Sequence, residues 1–439
     1  MFLQYAIWGA WLPLLWPFLS GHRGFSPSEI GNMFAIGAVG AIVAPFIAGQ
    51  IADRWFNTEK FLGISHILGG ILVWQLASLE TYNSFLVFSL LYSLIYSPTL
   101  SLTNSLAFHH LPDRDRDFGK IRVWGTIGWI VVGIGIGQWL LHQHTPTGEE
   151  AEAVSAAQAA GMADAFKLSG LLGIVMGIFC FFLPSTPPAK EEKKSAIGGA
   201  LDAIRLQPLL TLFLIAVPIS CVHQFYFVHT APFLGQFQNQ AEGFIDIVNK
   251  IVGVGGGGLM TIGQMAEIGV LALIPLFAKK CSRKALLCVG IAAYSLRMFL
   301  FAYSPSFPEA AQLPAIILGI AMHGLCFGCF IFVAFMVVDE ECATDVRASA
   351  QSLFNLVIVG IGIIVGSKVA GYVAEISTVN EVMNYQKLFS VPMWAALACL
   401  VIMQLCYPNK PPATAADGPS DKDADLDIDS DAASNNGDE

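Results

Sequence analysis

Leu259-Met-Thr-Ile-Gly-Gln-Met-Ala-Glu-Ile-Gly-Val-Leu-Ala-Leu-Ile-Pro-Leu-Phe277 decides how this chain is to be read. The run is apolar over the length a helix needs to cross a bilayer core, yet it carries an acid, Glu267, and an amide three residues earlier, Gln264. In a helix these two project from the same face, one turn apart. A carboxylate at bilayer depth costs about 3 kcal/mol even on lenient insertion scales, so it must face a polar cavity or a partner within a bundle. Glu267 is therefore a functional candidate, with a structural acid paired to a neighbouring helix as the alternative reading.

The rest of the chain agrees with a membrane setting. Apolar residues make up 55% and charged residues 13% of the sequence, and a soluble core could not absorb so much apolar surface. Apolar stretches fall near 2–20, 29–52, 61–79, 83–108, 122–142, 165–184, 208–230, 258–278, 285–303, 313–338, 350–374 and 389–407. They predict twelve transmembrane helices. Basic residues gather in every second connection: Arg54 and Lys60, then Arg114 to Arg122, then Lys190 to Arg205, then Lys279 to Lys284, then Arg347. The other connections hold only Arg23, Lys167, Lys250 and Lys387. By the positive-inside rule both termini are expected in the cytoplasm. The first span opens at Phe2 with no basic segment before it, which reads as a retained helix rather than a secretory signal.

The basic segment 185–207 divides the spans into two groups of six. The expected organisation is a six-helix bundle over 1–184, a cytoplasmic linker over 185–207 and a second six-helix bundle over 208–407, with a cavity between the halves. Beyond Tyr407, residues 408–439 hold nine acids against Lys410 and Lys422, a composition expected to form a disordered acidic cytoplasmic tail. Its spaced aspartates lack the glycine and the closing glutamate of a calcium loop.

Several chemical motifs fail on context. Cys326 and Cys329 form a lone C-x-x-C inside an apolar run, with no second pair to complete a zinc site. The run Gly253 to Gly258 lacks the Lys-Ser/Thr of a phosphate loop and is read as a flexible lead-in or a helix start. His109, His110, His142 and His144 stand near span ends as interfacial histidines. No catalytic dyad or metal cluster gathers at one depth, so an enzyme is not expected. Arg297 and Lys368 are intramembrane cations expected to be paired structurally or to snorkel. A polar set remains. Arg122, Thr126 and Trp129 fall at i, i+4 and i+7 and put a cation, a hydroxyl and a ring on one helical stripe suited to a polar ring compound. Snorkelling of Arg122 to the headgroups is the competing reading. Gln224 is a buried amide that either meets a ligand or joins two helices.

The segments Ile121-Arg-Val-Trp-Gly-Thr-Ile-Gly-Trp129, Tyr96-Ser-Pro-Thr-Leu100, Gln264-Met-Ala-Glu267 and Arg347-Ala-Ser-Ala-Gln351, with the opening Phe2-Leu-Gln-Tyr-Ala-Ile-Trp-Gly-Ala-Trp11, resemble the bacterial nucleoside:proton symporter family of the major facilitator superfamily. The resemblance reaches to about Tyr407, and Gly49-Gln-Ile-Ala-Asp-Arg54 is similar to the superfamily's signature between spans two and three. It implies an all-α protein of the bacterial inner membrane that imports a nucleoside with a proton by alternating access. The substrate-binding set it implies is Arg122, Thr126, Trp129, Gln224, Gln264, Glu267, His323 and Phe327, with Glu267 also carrying the proton. Trp129 stands where a Phe is usual. Phe227 replaces an Asn, His323 a Tyr and Gly328 an Asp, which bears on substrate identity. A carboxylate and an amide can bracket ribose hydroxyls, and aromatic rings can cover a base. The expected partners are a nucleoside, protons and the lipid bilayer; no nucleic acid, metal or cofactor is expected, and the chain is expected to be a monomer. The alternatives are a facilitator or proton symporter for another sugar-bearing or polyol-like solute and, behind it, a substrate-sensing receptor.

Overall fold

In the computed structural model the described residues are 1–47, 57–187, 197–239, 243–278, 280–343, 346–380 and 382–409. The expected signature at Gly49 to Arg54, the middle of the basic linker and the acidic tail from residue 410 lie outside them.

Among the described residues each predicted span has its helix: Phe2–Gly21, Pro27–Ile47, Thr58–Leu76, Tyr82–His110, Arg114–Gln143, Ala163–Cys180, Leu209–Gln238, Gly257–Ala278, Arg283–Tyr303, Glu309–Glu341, Ser349–Ser377 and Tyr385–Cys406. Among the described residues eleven helices are long and apolar enough to cross a bilayer. The third, Thr58–Leu76, falls short because Glu59, Lys60, Ser65, His66 and Gln75 dilute its apolar content. It holds its place by backbone approach instead. Gly70 lies against the Gly170 carbonyl and Gly63 against Phe181, so the third and sixth helices meet at a spacing that side chains would forbid.

Buried polar groups join helices where lipid offers no alternative partner. In the first half Gln4 donates to Thr99 Oγ1 at 2.9 Å, and its Oε1 accepts from Thr103 Oγ1 at 3.0 Å and meets His66 Nε2 at 2.8 Å. That amide locks the first, third and fourth spans together. In the second half Ser220 Oγ donates to the Ile358 carbonyl at 2.6 Å, tying the seventh span to the eleventh. Phe233, Phe301 and Phe389 fill the same half with ring centroids 5.3 to 5.4 Å apart.

The halves meet closely at the end of the bundle opposite the N terminus. Gly31 of the second span faces Gly371 and the Ser367 carbonyl of the eleventh, and Ser28 Oγ donates to the Glu375 carboxylate. The Trp16 ring lies edge-on to His229, with centroids 4.4 Å apart. Val254 N donates to the Gly137 carbonyl at 3.0 Å, and Gln138 Nε2 donates to the Lys250 carbonyl at 2.9 Å.

Three short helices among the described residues were not foreseen. Ala151–Gly161 leads into the sixth span, Ile197–Ile204 occupies the end of the linker, and Phe244–Val252 fills the connection between the seventh and eighth spans. All are shorter than a membrane span, so a reading based on span length passes over them. The glycine run after Phe244–Val252 begins with Gly253 at φ +77° and ends in the helix start at Gly257. At Gly253 a side chain would strike the Gly137 backbone, so glycine is required there on both conformational and steric grounds.

Candidate functional site

Glu267 sits midway along the eighth span, and two glycines let neighbouring helices approach it. Gly324 of the tenth span abuts the Ala266 carbonyl and Glu267 N, while Gly263 abuts Tyr226 Oη and the His323 side chain. His323 Nε2 consequently stands 3.6 Å from Glu267 Oε2, an ion-pair separation longer than a hydrogen bond. The His323 side chain is 2% exposed and that of Glu267 12%. One turn before the acid, Gln264 is buried and its Oε1 has no partner among the described residues.

Behind His323 lies Arg297, fully buried, with Nη1 3.2 Å from His323 Nδ1. Its guanidinium is 4.3 Å from the Tyr226 ring centroid and 5.1 Å from that of Tyr294. The His323 ring stacks on Tyr226 at 4.8 Å and on His223 at 5.6 Å, and His223 Nδ1 is 2.6 Å from Tyr294 Oη. The expectation of structural pairing or snorkelling for Arg297 therefore resolves to pairing with rings and an imidazole. Snorkelling is ruled out by its complete burial. Lys368 is exposed.

The stripe on the fifth span faces the first span in part. The Arg122 guanidinium lies 4.2 Å from the Tyr5 ring centroid, and Trp129 lies against Gly9 and edge-on to Trp8 at 5.9 Å. Thr126 is half-buried and, like Arg122, carries no hydrogen bond from its side chain among the described residues. Arg122, on the fifth span, is near enough to act electrostatically on Glu267. Gln224 is buried against Gly366 of the eleventh span, and Phe327 is half-buried with its ring 6.5 Å from His323.

Sequence reading missed Arg297, Tyr226, Tyr294 and His223 as members of this cluster. An arginine in an apolar run was the one usable signal; the three others are ordinary span residues until the helices assemble. The family departures also acquire contacts. Phe227 lies edge-on to His323 at 5.9 Å, and Gly328 abuts the Val270 side chain, which would have to shift to admit a side chain there. The tenth span is π-helical over Cys326–Phe332, beginning three residues after His323, a local widening that is often found at functional positions. Cys326 and Cys329 are free and buried, and the described residues contain no cluster able to hold a metal ion.

This arrangement pairs an intramembrane acid with amides and rings at the meeting of two helical halves. The sequence model of the nucleoside H+ symporter family matches residues 1–411. The chain belongs to that family. Nucleoside H+ symporters are membrane transporters, and this member is a multi-pass membrane protein rather than an enzyme. It is 33% identical over 385 residues to YegT of Escherichia coli (strain K12), whose name assigns it provisionally to nucleoside transport, covering 85% of this chain and 83% of YegT. It is 28% identical to the xanthosine permease of the same organism, over 91% of this chain and 92% of that protein. The crystal structure of the nucleoside transporter NupG superposes with a TM-score of 0.78 over 93% of this chain and 97% of that one, at 24% identity, and that of a D-xylose-proton symporter with 0.65 over 94% and 98%, at 15%. The last two likenesses establish the fold.

Proposed function

We propose that this nucleoside H+ symporter binds its nucleoside between the halves and that Glu267 carries the coupled proton. The observation that carries the reading is the placement of Glu267: mid-span, 3.6 Å from a neutral-capable imidazole, one turn from the unpartnered Gln264 Oε1. An unpartnered buried amide oxygen is stabilised by a donor, and a sugar hydroxyl or base N–H supplies one. Gln224 and Thr126 offer further polar groups without a side-chain hydrogen bond among the described residues, Trp129 and Phe327 offer ring faces for a base, and His323 and Arg122 border the acid from the two halves. With both termini in the cytoplasm, the end closed by Gly31, Gly371, Trp16 and Val254 faces outward. The described state is then the inward-facing member of an alternating-access pair, in a protein that acts as a monomer.

Uptake of labelled nucleoside into proteoliposomes, with and without an imposed proton gradient, tests this. Wild type accumulates nucleoside when the gradient is present. Glu267→Gln keeps shape and hydrogen-bonding capacity but fixes the site neutral, so concentrative uptake collapses. Accumulation at the wild-type rate by the variant would remove Glu267 from the coupling role.

A further inference from the structure

The candidate set leaves one buried charge without a task. Arg297 is inaccessible to solvent, and its Nε and Nη2 have no partner among the described residues. A guanidinium does not deprotonate in a protein, so this cation is permanent, and a permanent cation buried at bilayer depth requires a compensating anion. Two tyrosine faces stabilise it in part. Among the described residues, the titratable and charged groups that surround the cluster are His223 and Tyr226 on the seventh span, Glu267 on the eighth, Tyr294 on the ninth, His323 and Cys326 on the tenth and, from the other half, Arg122 on the fifth. Among these the one carboxylate is Glu267.

The geometry also fixes the state of the ring between them. An arginine has only donors, so in the 3.2 Å contact His323 Nδ1 must accept, and its single proton then sits on Nε2, which points at Glu267. Protonating His323 on both nitrogens would set one N–H against another. A proton delivered to this site therefore has Glu267 as its destination.

We propose that Arg297 is the positioning residue of proton coupling: through His323, which it holds as an Nε2–H donor, it is the fixed counter-charge of the Glu267 carboxylate. This rests on the reading of Glu267 as the proton carrier. Ionised, Glu267 offsets Arg297 through His323 while Arg122 acts on it from the fifth span; when Glu267 is protonated Arg297 is left without an anion among the described residues. Loading the proton thus raises the cost of keeping these four helices as they stand, which links protonation to rearrangement.

The test is a thermal-stability cycle on the detergent-solubilised full chain, with Arg297→Met, Glu267→Gln and the double variant, alongside the pH profile of uptake in proteoliposomes. If the two residues neutralise each other, each single variant lowers Tm and the double variant melts at or above the less stable single, because neither charge remains unpaired. The pH midpoint of uptake in Arg297→Met moves to higher pH by about one unit, since a carboxylate that has lost its cation is protonated more readily. Arg297→Lys, which keeps the charge but not the planar fork, transports more slowly at the wild-type midpoint. Additive losses in Tm, or an unmoved midpoint in Arg297→Met, overturn the proposal. Failure of the proton-carrier reading is distinguishable: Glu267→Gln alone would then still accumulate nucleoside, and additive or sub-additive losses in the cycle would still judge the pairing.

Discussion

Replacing Gly324 by alanine tests whether the Glu267 site depends on close approach of the eighth and tenth spans. The added methyl carbon would lie 2.5 Å from the Ala266 carbonyl oxygen and 2.8 Å from Glu267 N. Ordinary contact begins at 3.4 Å, and both obstacles are backbone, so no rotamer change relieves them. The helices must separate by about 0.9 Å at this point, a strain of the kind that costs roughly 1–3 kcal/mol in packed cores. His323 precedes the substituted residue and moves with it, so its 3.6 Å approach to Glu267 Oε2 lengthens by a similar amount, to about 4.5 Å. The expected outcome is a lower Tm with proton-driven uptake reduced roughly tenfold, the equivalent of about 1.4 kcal/mol. Gly269→Ala is the matched control, on the same helix two residues past Glu267, where an added methyl meets open space; its Tm and uptake should stay near wild type. Wild-type uptake in Gly324→Ala, measured in the same vesicles, would refute the claim that this contact positions the acid.

Two further outcomes follow from contacts between the halves and on the substrate stripe. Trp129→Ala should weaken nucleoside binding by roughly tenfold or more, the scale of one base-stacking interaction, whereas Trp129→Phe should retain most of the affinity; equal affinity of the alanine variant by equilibrium binding would place the ring in helix packing against Gly9 alone. Gly253→Ala puts a side chain into a backbone at φ +77° and ψ −169°, a region essentially restricted to glycine, at a strain of about 1–3 kcal/mol, and into the Gly137 backbone besides, so it should loosen closure of the halves at that end. Faster labelling of a cysteine introduced at Gln138 by a membrane-impermeant maleimide reads that loosening, and an unchanged rate would show that the closure does not depend on this bridge.

The sequence by itself determined the spans and their number, because crossing a bilayer imposes a length of apolar chain that is visible residue by residue, and its motifs carried the resemblance to the family. It also singled out Glu267 and Gln264, since a polar group in an apolar run is conspicuous wherever its partners lie. The third helix shows the limit of that logic: Thr58–Leu76 is too polar to be recognised by composition as strongly as its neighbours, and its place is secured by glycine contacts with the sixth span. Arg297 was equally conspicuous in sequence, yet its meaning was not, because Tyr226 and His323 reach it from two other helices and Glu267 meets His323 from a third, and helical periodicity says which residues share a face but not which faces meet. The same holds for Gly137 and Val254, more than a hundred residues apart, whose hydrogen bond joins the two halves. Only the tertiary structure decided these pairings, since they depend on how closely backbones approach, and that distance is set jointly by side chains, or their absence at glycine, on both partners at once.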